Sequence, residues 1–406
     1  MLGRLKFDIE SLVAEMLDQI PAELWKSDST TFLDPALGGG QFVGEIEHRL
    51  REYNHSEENI AKRVFGAEQS RMRLNFAVQK HKLVGKYAIG GVDLDYEEVF
   101  GLKKFDVIVG NPPFQNSDLP QNNSLWPLFI NKSFFQLLRE DGYMAVITPT
   151  SWMNPSGEVV KRKKEYNPGL VKKNIFEKYK TLIINIDNIG QYFNVGSTFS
   201  YYIVQKTKQD SSETTRIKVP GGEINVNFAE EKFIPLQLSI NTLSIVKKFF
   251  NKPSIGVTNM RGEGFHSSHS KRVSKEKKTG FNFPLADTSA KYKNGQWLWA
   301  SEKHPYQDIK KVIISESGYL GPMYDNGTLG TTEHSFIIPV STQKEGERIV
   351  ELLDSKLYKF VMKVCRWGSA NHKYVIANLP GCTSGNVYDY FGLTQDEIDL
   401  VENSIE

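Results

Sequence analysis

The run FDVIVGNPPF, Phe105 to Phe114, is an apolar strand that terminates in Asn-Pro-Pro-Phe. A planar amino or amide nitrogen has its lone pair delocalised and is a poor nucleophile, so chemistry at such an atom needs help as charge builds there. Two acceptors aimed at its two N–H bonds give that help, and give more of it in the transition state than in the ground state. The side-chain carbonyl of Asn111 supplies one acceptor and the main-chain carbonyl of Pro112 the other. Pro112 and Pro113 fix φ and carry no N–H, so the loop is pre-aimed and cannot satisfy those carbonyls locally. Phe114 adds a flat face for stacking. An ordinary Pro-rich turn is the bland alternative. The tetrapeptide specifies the accepting nitrogen and not the polymer that carries it.

A second constellation, FLDPALGGGQF, runs from Phe32 to Phe42 where a buried strand ends and a helix begins. Glycines there let the backbone pass close to a ligand, although plain turns use them too. Asp34-Pro35 ahead of them sets the kind of ligand. A phosphate loop would want a Lys or an uncluttered helix N-terminus, whereas an acidic strand end suits a cation such as an α-amine or sulfonium. Glu68, at the end of the next strand in VFGAEQS, is positioned to accept both hydroxyl protons of a ribose. Asp93 in IGGVDLDY follows the third strand and is positioned to accept from an adenine amino group, with Asp95 as its competitor.

These residues need strands to carry them and helices between. Leu5, Ile9, Leu12, Val13, Met16, Leu17 and Ile20 recur at helical spacing, with Asp8 as N-cap and Pro21 as stop. Thr31–Leu33, Val64–Ala67, Tyr87–Ile89, Phe105–Val109 and Tyr143–Thr148 read as strands, and Gly44–Tyr53, Gln69–Leu83 and Leu128–Leu138 as helices. Such alternation predicts a parallel sheet covered on both faces. Thr181–Ile186 and Thr198–Gln205 complete the pattern. The polar stretch Lys206–Arg216 predicts a linker, which divides the chain into residues 1–210 and 217–406. The second part has mixed short strands (Lys311–Ser315, Ser335–Val340), a helical stretch at Gly346–Lys363 and an unpatterned segment from Ser254 to Tyr306. It is expected to be α+β.

With 406 residues, 39% of them hydrophobic, two cores are the natural expectation. No apolar run reaches membrane-spanning length and the first residues lack a signal-peptide pattern, so a cytoplasmic location is expected. Cys365 and Cys382 belong to no ligand-spaced cluster, and no metal is expected. The net charge of +2 averages opposite biases. Lys161 to Lys180 holds eight Lys/Arg against two Glu, Arg261 to Gly280 six against two, and the tail from Thr394 five acidic residues and no basic one. A basic run is commonly just a solvated face. Two of them beside aromatic residues favour nucleic acid as a partner.

In this order the motifs resemble the N6-adenine DNA methyltransferases of the gamma motif order, most closely the TaqI-like layout found in restriction-modification systems. The resemblance covers Leu5 to about Lys206. It implies a Rossmann-like, doubly wound α/β catalytic domain followed by an α+β target-recognition domain. It implies S-adenosyl-L-methionine as cofactor, held by Asp34, Pro35, Ala36, Gly38, Gly40, Phe42, Glu68, Asp93, Leu94 and Asn111. The family's Thr-Pro ahead of the first helix is replaced by Phe7-Asp8-Ile9, which puts Phe7 at the methionine end. Asn111, Pro112 and Phe114 match the catalytic tetrapeptide. Pro113, Phe114 and Phe193, the last in FNVGSTFSYYIVQK, would contact an adenine rotated out of the duplex. Lys161, Arg162, Lys271, Arg272 and Lys275 are the expected contacts to double-stranded DNA. The resemblance further implies a monomer, with a cognate restriction endonuclease as its candidate partner. Asn-Pro-Pro-aromatic also occurs in methyltransferases acting on RNA adenines or on protein glutamines, and a non-catalytic DNA-binding subunit could keep the fold. The size of the second part favours DNA over the first two, and the intact motifs argue against the third.

Overall fold

The computed structural model describes residues 8–114, 124–155, 167–193, 198–259, 264–366, 371–383 and 385–405. The chain divides into two compact units, Met1–Glu231 and Lys232–Glu406.

In chain order the first unit contains α1 (Ile9–Leu17), α2 (Ala22–Lys26), β1 (Phe32–Asp34), α3 (Gln41–Glu52), α4 (Glu57–Arg63), β2 (Val64–Glu68), α5 (Arg71–His81), β3 (Lys86–Ile89), α6 (Tyr96–Phe100), β4 (Phe105–Gly110), α7 (Trp126–Lys132), β5 (Leu138–Pro149), α8 (Gly169–Val171), β6 (Tyr179–Asn185), β7 (Phe199–Lys208), β8 (Thr215–Val219) and β9 (Gly222–Val226). Asp8 caps α1 by accepting from the Glu10 N–H, and Leu12, Val13, Met16 and Leu17 are its buried stripe. β1 and β2 are buried throughout because helices cover both faces of the sheet. On one face α1, α3 and α5 pack against Phe32, Val64, Val107 and Val109. On the other, Phe65 and Phe105 meet Tyr96 and Phe100 of α6.

The nine-stranded sheet has the order β3-β2-β1-β4-β5-β7-β6-β8-β9. β3, β2, β1, β4 and β5 are parallel. After β3 the chain crosses back to lay β4 beside β1, so the strand order reverses between those two strands. The crevice beyond their C-terminal ends is where open α/β sheets take ligands. The expected all-parallel sheet does not extend past β5. β7 runs antiparallel to both β5 and β6, and β9 antiparallel to β8. An apolar run carries no sign of its direction, and an antiparallel neighbour needs only a short return. The expected linker at 206–216 is not one either. β7 continues to Lys208, β8 begins at Thr215 and pairs with β6, and the units separate at Glu231/Lys232. A polar turn at a sheet edge and a linker have the same composition.

The second unit is α+β: α9 (Ile240–Phe250), β10 (Val273–Ser274), β11 (Phe283–Ala286), α10 (Ser289–Tyr292), β12 (Leu298–Ala300), β13 (Lys310–Ser315), β14 (Met323–Asn326), β15 (Gly330–Thr331), β16 (Ser335–Pro339), α11 (Gln343–Leu353), α12 (Lys356–Val364), α13 (Lys373–Ala377), α14 (Val387–Phe391) and α15 (Gln395–Ser404). Its strands form two sheets, β10-β12-β11-β15 and β14-β13-β16. The unpatterned stretch 254–306 holds β10, β11 and β12, which are only two to four residues long and too short to show alternation. The single helical stretch expected at 346–363 is two helices, broken at Asp354 and Ser355. Among the described residues no helix is long and apolar enough to cross a membrane.

Candidate active site

β1 and β4 deliver their last residues side by side. Asp34 ends β1 buried, at 1% exposure, and its Oδ1 accepts from the Ala36 N–H at 2.9 Å. Gly110 ends β4 at φ +154°, and a Cβ there would lie 3.0 Å from Asp34 Oδ1. Only glycine lets the two strand ends approach so closely. Between β1 and α3 the chain turns through Gly38 and Gly40. Gly40 is the N-cap of α3 at φ +82°, and a Cβ on it would meet Ala77 Cβ of α5 at 2.9 Å. Pro35 and Gly40 are buried, Ala36 and Gly38 half-buried. Phe42, one residue into α3, packs in the hydrophobic core at 5% exposure.

Glu68 closes this loop from β2. Its Oε2 accepts from the Gly38 N–H and its Oε1 from the Ser70 N–H, both at 2.9 Å. Each oxygen keeps a second lone pair for another donor. Burial pushes the Asp34 carboxyl from its ordinary 3.8 up to about 7, the Ala36 N–H opposing that rise and the Glu68 charge adding to it. The two acidic candidates after β3 have separate duties. Asp95 caps α6, accepting from the Glu98 N–H at 3.0 Å. Asp93 is exposed and ion-paired with Lys132 of α7, a partner thirty-nine residues on that no motif links to it. Half-buried Leu94 lies in the turn between them, where its N–H donates to the Gly91 carbonyl.

Asn111 follows Gly110. Its Oδ1 is buried and, among the described residues, accepts no hydrogen bond. An amide oxygen in that condition costs about 1–3 kcal/mol unless something outside the fold supplies a donor. Pro112 is buried, Pro113 exposed and Phe114 half-buried. Phe114 and Phe193 come together, with ring centroids 6.2 Å apart at 77°. Both lean on Phe199 at the start of β7, Phe114 at 4.9 Å and Phe193 at 4.4 Å. Phe193, which had no evident neighbour in the sequence, thus packs on a residue six positions on. The two outer rings are near perpendicular, so clasping a flat group between them requires one to turn.

Of the basic residues, Lys271, Arg272 and Lys275 are exposed on and beside β10 in the second unit. Arg272 pairs with Glu302 at 2.9 Å, Lys277 lies over the Trp299 ring at 5.0 Å and Lys278 over Phe281 at 4.9 Å. Phe7, Lys161 and Arg162 lie outside the described residues.

Residues 45–179 match the family model described as Eco57I restriction-modification methylase. No curated protein matches the sequence. Among solved structures, the type IIL restriction-modification enzyme MmeI in complex with DNA aligns at 12% identity and TM-score 0.47, over 98% of this chain and 67% of that one. The type IIG restriction endonuclease BpuSI aligns at 10% identity and TM-score 0.43, over 99% and 61%. The type I restriction-modification methyltransferase subunit of Streptococcus thermophilus aligns at 15% identity and TM-score 0.38, over 52% and 46%. The chain thus spans about half the length of that subunit, and 48% of the EcoKI M protein. The matched family segment takes in Glu68, Asp93 and Asn111 to Phe114, so the stretch of chain carrying the Asn-Pro-Pro-Phe turn has the sequence pattern of the Eco57I restriction-modification methylases.

Proposed function

We propose that this protein is an S-adenosyl-L-methionine-dependent DNA methyltransferase that methylates the N6 amino group of an adenine turned out of the duplex, as the modification activity of a restriction-modification system. The observation that carries this reading is the buried Oδ1 of Asn111, without a hydrogen-bond partner among the described residues and one residue beyond the β4 end that abuts Asp34. A fold that leaves a buried acceptor unused just past the C-terminal end of β4 is set up for a donor that arrives from outside.

The residues present fit the cofactor. A buried carboxylate beside glycine backbone suits a cationic group, and Glu68 has lone pairs to spare for hydroxyls. S-adenosyl-L-methionine, when bound, supplies a methyl group activated by its sulfonium. Asp34, Glu68 and the Gly38 to Gly40 backbone bind and orient it, with Asp93 and Leu94 at the adenine end. Asn111 Oδ1 and the Pro112 carbonyl accept from the two N–H bonds of the target amino group and draw charge onto its nitrogen. Phe114 and Phe193 hold the base, and the released proton leaves to solvent.

The second unit, with Lys271, Arg272 and Lys275 on its β10 ribbon, is assigned to target recognition on double-stranded DNA. The protein acts as a monomer in the cytoplasm, with a cognate restriction endonuclease as its partner in the system. The test is transfer of labelled methyl from S-adenosyl-L-methionine to unmethylated duplex DNA, followed by nucleoside analysis. N6-methyladenine is the expected product. Label found only in RNA or protein, or no transfer to any DNA, overturns the reading.

A further inference from the structure

The glycine loop of the candidate site is held from a side that its own motif does not reveal. His81, the last residue of α5, faces the Gly39 carbonyl through Nε2 at 3.1 Å. A carbonyl oxygen only accepts, so Nε2 carries the proton and donates. The N–H of the same peptide group, that of Gly40, donates to the Leu37 carbonyl at 2.9 Å. The Gly39–Gly40 peptide plane is therefore fixed at both edges. Between two glycines that plane is otherwise among the easiest in a chain to turn over, because neither residue has a Cβ to oppose rotation.

The imidazole is itself closely confined. A Cβ on Gly44 would lie 2.8 Å from its Nδ1, and one on Gly40 would lie 3.2 Å from its Cδ2. The ring thus occupies the space that the missing side chains of Gly40 and Gly44, one helical turn apart, leave open. The segment from β2 to the end of α5 grips the loop twice, through Glu68 at the Gly38 N–H and through His81 at the Gly39 carbonyl.

We propose that His81 is a positioning residue for S-adenosyl-L-methionine binding: by donating to the Gly39 carbonyl it holds the Gly39–Gly40 peptide in the one orientation that keeps this carbonyl turned away from the ligand side of the loop. The proposal rests on the reading of that loop as the cofactor loop. His81 does not touch the cofactor, and its contribution is preorganisation, which appears in affinity more than in the rate of the loaded enzyme.

The test compares His81→Leu, which keeps apolar bulk and loses the donor, with His81→Gln, whose side-chain amide retains one. Cofactor affinity is read by calorimetric titration of the full chain with S-adenosyl-L-methionine, beside melting temperature and steady-state kinetics. The expected result for His81→Leu is a Kd raised about tenfold, the equivalent of one neutral hydrogen bond, with kcat at saturating cofactor within about twofold. His81→Gln is expected to return Kd to within about threefold of wild type. Should His81→Leu fail to fold, His81→Asn, too short to reach the carbonyl, replaces it, and a Kd above that of His81→Gln upholds the proposal. Wild-type affinity in the variant lacking the donor, or equal impairment with and without it, overturns the assignment of His81 alone. Absence of cofactor binding by the wild-type chain overturns the reading of the loop, and this inference with it.

Discussion

Asn111 and Asp34 are each held in a state that the fold alone would not choose. The Asn111 Oδ1 is buried and has no partner among the described residues, so its removal should cost rate and not stability. We expect Asn111→Ala to lower turnover by about 2.7–4 kcal/mol of transition-state stabilisation, to keep cofactor affinity, and to melt no earlier than wild type. A near-normal rate on duplex DNA would remove Asn111 from the mechanism. Asp34 makes the complementary case through pH. Its folded carboxyl keeps the proton up to about 7 against an ordinary 3.8, so the free protein gains stability from this group below 3.8 and loses it as pH rises through 7. The amount is on the order of 4 kcal/mol. A cationic ligand favours the ionised form, so cofactor affinity should be flat above pH 7 and fall by up to about tenfold per unit below it. Asp34→Asn should bind weakly at every pH and melt later than wild type at about pH 8. Calorimetry in two buffers checks this, and a wild-type affinity that ignores pH between about 5.5 and 8 would contradict it. Asp34, Glu68 and Asn111 could be read from the sequence because each follows an apolar run, and a residue just past a buried parallel strand has only one place to be. His81, Phe199 and Lys132 could not, since their roles come from contacts with residues brought close only by folding: Gly39, Phe114 and Asp93.

At the scale of elements, the sequence conveyed which segments are strands but not which way they run. β1 through β5 alternate with helices, and a right-handed crossover leaves parallel pairing as the natural outcome. β6 and β7 show the same apolar texture, yet β7 inserts antiparallel between β5 and β6. That insertion matters for the site, because it brings Phe199, the first residue of β7, up to Phe114 beyond the end of β4. Phe193, in the connection before β7, then has two competing uses: packing on Phe199, or stacking on a base after its ring turns. Phe193→Leu separates them, since leucine fills apolar volume but offers no flat face. We expect this variant to melt close to wild type while losing roughly 1–3 kcal/mol of hold on the extruded base, seen as a smaller fluorescence rise with 2-aminopurine at the target position. Full fluorescence in Phe193→Leu would leave Phe193 a packing residue only. Phe199, at 2% exposure, is the contrasting case, where truncation to Ala should cost roughly 3–5 kcal/mol of stability.

On the scale of the whole molecule, the near-zero net charge conceals a division of labour. Asp34, Glu68 and Asn111 belong to the first unit, and the basic ribbon around β10 belongs to the second, each unit having its own hydrophobic core. Length and composition pointed to two units, as the chain divides, but not to their boundary, because β8 and β9 continue the first sheet through a turn as polar as a linker. The charges on the ribbon are not equivalent either. Arg272 is neutralised by Glu302, whereas among the described residues Lys271 and Lys275 are exposed with no carboxylate against them. If the ribbon meets phosphates, each contact releases counterions and adds about 0.9 to the slope of log K against log salt. Lys271→Gln with Lys275→Gln should therefore flatten that slope by up to about 1.8, while Arg272→Gln alone, which also frees Glu302 to repel phosphate, should weaken binding with a smaller change in slope. Cofactor affinity, which the proposed site assigns to the first unit, should be unaltered in both variants. The measurement is duplex binding across a range of salt concentrations, with and without the cofactor. Parallel salt slopes for wild type and the double-lysine variant would mean that the run is only a solvated face, and that the grip on DNA must be sought on other residues.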